Sequence, residues 1–151
     1  MKDWSLNGML SAFSGSPFTV YSPGGSLNAP GNRQYADLVG TPTKLGGIGA
    51  DSPYYDPSAW APVTEVRPGT SSRNSVRGPG WWNIDLSLFR RFPIGPRFTL
   101  EARAEAFNLT NTPRFNNPPD TYVGDPGFMT ITSTSPQAPE RQVRLGVRLQ
   151  F

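Results

Sequence analysis

The sequence predicts an all-β fold, a four-stranded antiparallel meander with long Gly/Pro-rich outer loops that forms part of a transmembrane β-barrel. Three observations predict it. Four segments alternate apolar and polar residues, the last of them stops on an aromatic residue, and the stretches between them are crowded with turn formers. The 17 prolines and 16 glycines make up about a fifth of the 151 residues, well above ordinary usage, so much of the chain is loop. Alternation with period two sends successive side chains to opposite faces of a strand. A face that is wholly apolar then needs a protein core or lipid to cover it.

The first segment, Trp4 to Ser14, sets Trp4, Leu6, Gly8, Leu10 and Ala12 against Ser5, Asn7, Met9, Ser11 and Phe13. In the second, Trp81 to Phe92, Trp82, Ile84, Leu86 and Leu88 oppose Asn83, Asp85, Ser87 and Phe89. In the third, Phe98 to Leu109, Phe98, Leu100, Ala102, Ala104 and Ala106 oppose Thr99, Glu101, Arg103, Glu105 and Phe107. Its EARAEAF run is rich in helix formers, but alternation sustained over about a dozen residues outweighs that preference. The fourth, Arg141 to Phe151, is the clearest: Val143, Leu145, Val147, Leu149 and Phe151 face one way, and Gln142, Arg144, Gly146, Arg148 and Gln150 the other. Outer-membrane barrel strands read this way, about ten residues long, apolar toward lipid and polar toward the lumen.

Segments two and three are joined through Phe92 to Arg97, whose Pro93, Gly95 and Pro96 predict a short turn. The other connections, residues 15–80 and 110–140, are long. Barrels keep short turns on the periplasmic side and long loops outside, so the strands run up, down, up and down. That orientation gathers Trp4, Phe92, Phe98 and Phe151 at the periplasmic end of the apolar face, the place of an aromatic girdle, with Trp82 at the opposite rim. Arg90 is the one charge on that face; near the interface it costs roughly 0 to 1 kcal/mol, against about 2 to 4 at the midplane, because its head can snorkel to water.

Composition narrows the function. Without cysteine or histidine the chain lacks thiolate chemistry, the commonest general base and the commonest metal ligand, so an enzyme is not expected and no cofactor is implied. The net charge of +3 comes from scattered arginines with no basic run, which argues against nucleic acid as a partner. No apolar run reaches the length of a transmembrane helix. The opening MKDWSLNGML is not a secretory signal. Met1 is therefore expected to be internal to a larger protein, with this chain as its end.

The stretches RNSVRGPGWWNIDLSLFRRF (73–92), FTLEARAEAFNLTNTPRF (98–115) and RQVRLGVRLQF (141–151) resemble the carboxy-terminal barrel strands of TonB-dependent outer-membrane receptors. The nearest variety is the Oar-like type, which carries a carboxypeptidase-regulatory-like domain at its amino-terminus; LNGMLSAFSGSPFTVYS (6–22) is similar to its strand and loop, so the likeness spans nearly the whole chain. The resemblance implies a 22-stranded barrel of which these are the last four strands. It further implies TonB-energised uptake of a bulky nutrient or metal chelate by the parent protein. Partners would be outer-membrane lipid, the barrel-assembly machinery, the plug domain and remaining strands, and the TonB complex through the amino-terminal part. Arg144, Gly146, Leu149 and Phe151 are similar to the terminal assembly signal of such barrels, polar-x-Gly-x-x-apolar-x-aromatic.

Lumen-facing Asp85, Glu101, Arg103, Glu105, Arg144 and Arg148 read first as an ordinary polar inner wall joined by cross-strand pairs, and second as a substrate path. The face assignments predict Glu105 beside Arg144, Glu101 beside Arg148, Arg103 opposite Gly146, and Asp85 approaching Arg103. Tyr54, Tyr55, Trp60, Tyr122 and Phe128 either contact a ligand from the outer loops or pin those loops down. Asp51 and Asp56 lack calcium-loop spacing and read as a turn, and Asn108-Leu-Thr110 reads as side-chain turns rather than a glycosylation site. A soluble secreted β-sandwich that binds carbohydrate is the alternative, and it requires a second sheet over the apolar faces.

Overall fold

The computed structural model describes residues 3–23 and 33–151; Met1 lies outside the described residues. Its strands are β1 (Trp4–Phe13), β2 (Pro17–Phe18), β3 (Asp37–Leu38), β4 (Gly49–Pro53), β5 (Trp60–Ala61), β6 (Val76–Arg77), β7 (Trp81–Ile94), β8 (Phe98–Phe107), β9 (Thr130–Ile131) and β10 (Gln142–Gln150). One 3-10 turn, Pro57–Ala59, is the only helical element among the described residues. The chain divides into two units. The four long strands with residues 81–113 and 136–151 form a sheet unit, and residues 14–80 with 114–135 form a loop unit.

The sheet unit is one antiparallel sheet in the order β1-β7-β8-β10, the meander expected from the alternation. Its boundaries differ slightly from the sequence reading. β7 runs past Phe92 to Ile94, so that Pro93 is a strand residue opposite Thr99 and the turn is confined to Gly95, Pro96 and Arg97. Gly95 takes the left-handed conformation this tight reversal requires, with φ of 68°. Pro93 lies beyond Arg90, the last β7 residue with a β1 register partner among the described residues, so its missing amide breaks no bond of the described ladder.

Directly opposed residues of an antiparallel ladder share a face. The register therefore gathers Leu6, Leu10, Leu86, Leu88, Leu100, Ala102, Ala104, Leu145 and Val147 on one side. Nothing protein covers them: Leu6 is 68%, Leu10 69%, Leu145 81% and Val147 74% exposed. No described residue of the sheet unit is fully buried. The second sheet that a soluble sandwich requires over this face is missing among the described residues.

The buried core lies in the loop unit. Phe18, Val20, Ala36, Tyr54, Tyr55, Ala59, Trp60 and Val76 from residues 14–80 pack with Phe128, Met129 and Ile131 from residues 114–135. Three small sheets, β2–β6, β3–β5 and β4–β9, tie the unit together, and the last of these joins the two chain segments. The Tyr54 amide also donates to the Met129 carbonyl, and the Val123 amide to Tyr21. Replacing fully buried Ile131 by alanine should cost about 2–5 kcal/mol through lost burial and the cavity left behind. The expected result is faster amide hydrogen exchange across residues 14–80 and 114–135, with exchange in the four long strands unchanged.

Candidate functional site

The polar face of the sheet and the half-exposed surface of the loop unit hold the candidate functional side chains. On the sheet, Glu105 is the register partner of Arg144, Glu101 of Arg148, and Arg103 of Gly146, as the face assignments require. Gly146 has a local purpose here: a Cβ added to it would lie 2.9 Å from Nε of Arg103, whose side chain crosses the space the glycine leaves. The ion pair that forms is a different one. Arg91 Nε donates to Glu101 at 3.0 Å across β7 and β8, and the Arg144 guanidinium sits 5.0 Å from the centre of the Phe107 ring.

The expected approach of Asp85 to Arg103 is not found. Arg103 faces Phe89, and Asp85 lies just beyond the last β7–β8 pair, Leu86 with Ala106. The turn pivots on Pro96 rather than on Ile94, and because each step at the pivot moves the pairing by two residues, Asp85 is carried past Arg103 to the end of β8. There its carboxylate accepts the Asn108 amide at 2.8 Å and the Asn83 side-chain amide at 3.0 Å, closing the strand end. Asn108 in turn accepts the Thr112 amide and donates to the Pro139 carbonyl. The NLT tripeptide is thus a side-chain turn, as its residues suggested.

On the apolar face, Trp4 lies opposite Arg90, Phe92 opposite Leu100, and Phe98 opposite Ile94, all at the end of the sheet that carries the three-residue turn. Phe151 follows the last paired residue of β10, Gln150 opposite Thr99, and is 95% exposed. Leu149 stands opposite Leu100.

In the loop unit the five singled-out aromatics separate. Tyr54, Tyr55, Trp60 and Phe128 are 3, 9, 4 and 8% exposed and meet edge to face, Tyr54 on Tyr55, Tyr55 on Trp60 and Trp60 on Phe128. Buried rings hold loops together and cannot be offered to a ligand. Tyr122 is half-exposed and belongs to a different cluster. Tyr21 is bridged by backbone to Tyr35 on one side and Tyr122 on the other, and its ring centre lies 6.1 Å and 5.3 Å from theirs. The Arg33 guanidinium stands 5.3 Å from the Tyr21 ring. A row of three phenols beside a cation offers hydroxyl groups and positive charge together, a surface suited to polyhydroxylated or anionic ligands. Tyr21, Tyr35 and Arg33 carry no local signal in the sequence, because only the long-range backbone pairing lines them up.

Asp37 fixes the flank of this surface. Its carboxylate takes both terminal nitrogens of Arg67, at 2.6 and 2.8 Å, and the Thr70 amide at 3.1 Å. Arg67 also reaches Glu65 at 2.8 Å, while its carbonyl accepts the Gln34 side chain. The Arg67 guanidinium, followed by the Thr70 amide, holds the Asp37 carboxyl below its usual range against the opposing effect of burial, and Arg67 is correspondingly harder to deprotonate. Asp56 is lowered too, by hydrogen bonds from Ser58. No group of three or more metal-ligating side chains occurs among the described residues.

The model of the family described as an outer membrane beta barrel domain matches residues 1–144. No curated protein and no solved structure matches the chain.

A depressed carboxyl stabilises the folded form above its unfolded value, about 3.9, and ceases to do so as pH falls through its folded value. Protection of residues 33–71 from protease should therefore be level above about pH 5 and decline below about pH 4. Asp37→Asn should lower protection at neutral pH and remove most of that decline, leaving the smaller part due to Asp56.

Proposed function

The chain belongs to the outer membrane beta barrel domain family and resides in the outer membrane of a Gram-negative bacterium, and on that premise we propose that it supplies barrel wall and outer loops to a TonB-dependent receptor taking up a bulky nutrient or metal chelate. One observation carries the reading beyond a generic barrel. Residues 14–80 and 114–135, the two long connections, fold into a unit with its own core, while β7 and β8 are joined by three residues. Interlocked loops with a row of half-exposed phenols beside a cation suit a receptor that must hold its cargo before transport. The strand sequences that resemble such receptors support the same reading, and the lack of histidine and cysteine favours transport over catalysis.

The ligand surface of this receptor is Tyr21, Tyr35, Tyr122 and Arg33, and the polar side chains Glu101, Arg103, Glu105, Arg144 and Arg148 line the inner wall. The test is uptake by cells carrying the full-length gene, with and without a working TonB system, across iron chelates and oligosaccharides. Uptake of one class that vanishes without TonB is expected. Tyr122→Ala should weaken binding of that ligand by about two- to ten-fold, the range of one aromatic contact. Uptake that continues undiminished without TonB identifies a passive pore.

Phe151 is proposed as the anchor of the assembly signal read by the barrel-assembly machinery. At 95% exposure it packs on nothing in the chain, so its replacement isolates recognition from folding contacts. Phe151→Asp in the full-length protein should lower the heat-modifiable, protease-resistant barrel in isolated outer membranes several-fold, whereas Gln150→Asp, on the polar face, should not. Equal behaviour of the two variants removes the special role of Phe151.

A further inference from the structure

A groove of about 470 Å³ lies on the apolar face, within the range of small-ligand clefts. Ala102 and Ala104 form its floor, because alanine is the shortest side chain on this face. Leu88 stands on one side and Leu145 and Val147 on the other. At its turn-side end stands Arg90, the only charge among the apolar-face residues of the four strands.

Arg90 is held without being neutralised. Its guanidinium lies 4.8 Å from the Trp4 ring centre and 4.5 Å from that of Phe92. Both neighbouring strands, β1 and β8, are described, and no carboxylate of either pairs with it. Trp82 and Phe92 stand ten residues apart on one strand, which at ordinary rise and tilt spans about 25 Å, the height of an outer-membrane apolar band. Arg90 stands opposite Trp4, at the level of the turn-side aromatic girdle, the depth of a phospholipid's headgroup and glycerol region.

We propose that this groove is a binding site for one anionic phospholipid, its acyl chain on Ala102 and Ala104 between Leu88 and Leu145, and its headgroup phosphate on Arg90. Complementary charge selects the occupant. A bare cation at the head of an apolar trough matches a ligand that is a hydrocarbon chain ending in an anion, and a zwitterionic lipid satisfies it less well. The inference depends on the barrel and not on what the barrel transports, so it stands or falls independently of TonB-driven uptake.

The experiment is native mass spectrometry of the full-length protein, purified in mild detergent and titrated with phosphatidylglycerol or phosphatidylcholine. The variants are Arg90→Gln, Arg90→Lys, Ala104→Leu and, on the polar face, Arg148→Gln. Folding of each is checked by heat-modifiable migration. Wild type and Arg148→Gln should retain one phosphatidylglycerol in preference to phosphatidylcholine. Arg90→Gln should weaken that retention about five-fold, Arg90→Lys should largely restore it, and Ala104→Leu should abolish it by filling the groove although the charge remains. Equal retention of the two lipids by wild type, or an unchanged preference in folded Arg90→Gln or Ala104→Leu, overturns the proposal. So does a second copy of the protein seated on this face in place of lipid. Should Arg90→Gln fail to fold, Ala104→Leu alone decides.

Discussion

Everything in the sheet unit depends on keeping a two-residue period in register across four strands. A slip of one residue at any ladder would send that strand's apolar residues to the polar face and its charges into lipid. The observed register lets no such error through. Leu6 meets Leu88, Leu88 meets Ala104, and Ala104 meets Leu145, so one apolar row crosses the whole sheet. The complementary row runs through Phe89, Arg103 and Gly146. Hydrophobic burial does not stabilise this sheet from within the chain, since none of its residues is fully buried. Lipid takes the place of a core, and the backbone ladder supplies most of the internal bonding, as it must where water is absent.

The loop unit obeys the opposite economy. It contains the buried residues, the short sheets and the half-buried Asp37–Arg67 pair, and it reads like a small globular unit assembled from two connections. Both connections contribute to one core. Residues 14–80 contribute most of it, yet Met129 and Ile131, among the most deeply buried side chains, come from residues 114–135. The interlocking explains how chains so rich in proline and glycine are ordered at all. The cost of bringing a long loop's ends together rises only slowly with its length, but each residue fixed adds its own cost, so the shared core and the three short sheets are what offset the ordering of both connections.

What was legible in the sequence follows from this division. Strand order, faces and the levels of Trp4, Phe92 and Phe98 are local consequences of alternation and of one short turn, and they could be read residue by residue. The pairing of Asp85 could not, because a sequence with Pro93, Gly95 and Pro96 in close succession allows more than one pivot for the reversal between β7 and β8. Aromatic residues in the loops were visible, but their burial was not. Tyr54 and Trp60 look the same in a sequence as Tyr21 and Tyr122, and only contacts between residues a hundred positions apart sort the core rings from the exposed ones.

The outer edges of β1 and β10 carry the last consequence. Among the described residues neither edge has a partner strand, although each presents a full row of amides and carbonyls. In water such edges invite aggregation; in hydrocarbon each unpaired group costs several kcal/mol, far more than the sheet's cross-strand contacts return. A four-stranded sheet is also too narrow to close on itself, since the smallest outer-membrane barrels have eight strands. In the membrane both edges therefore need partner strands, whatever chain supplies them. The alternation that makes one face fit for lipid is what makes this closure obligatory, because a surface that cannot be hydrated offers no other way to satisfy its backbone.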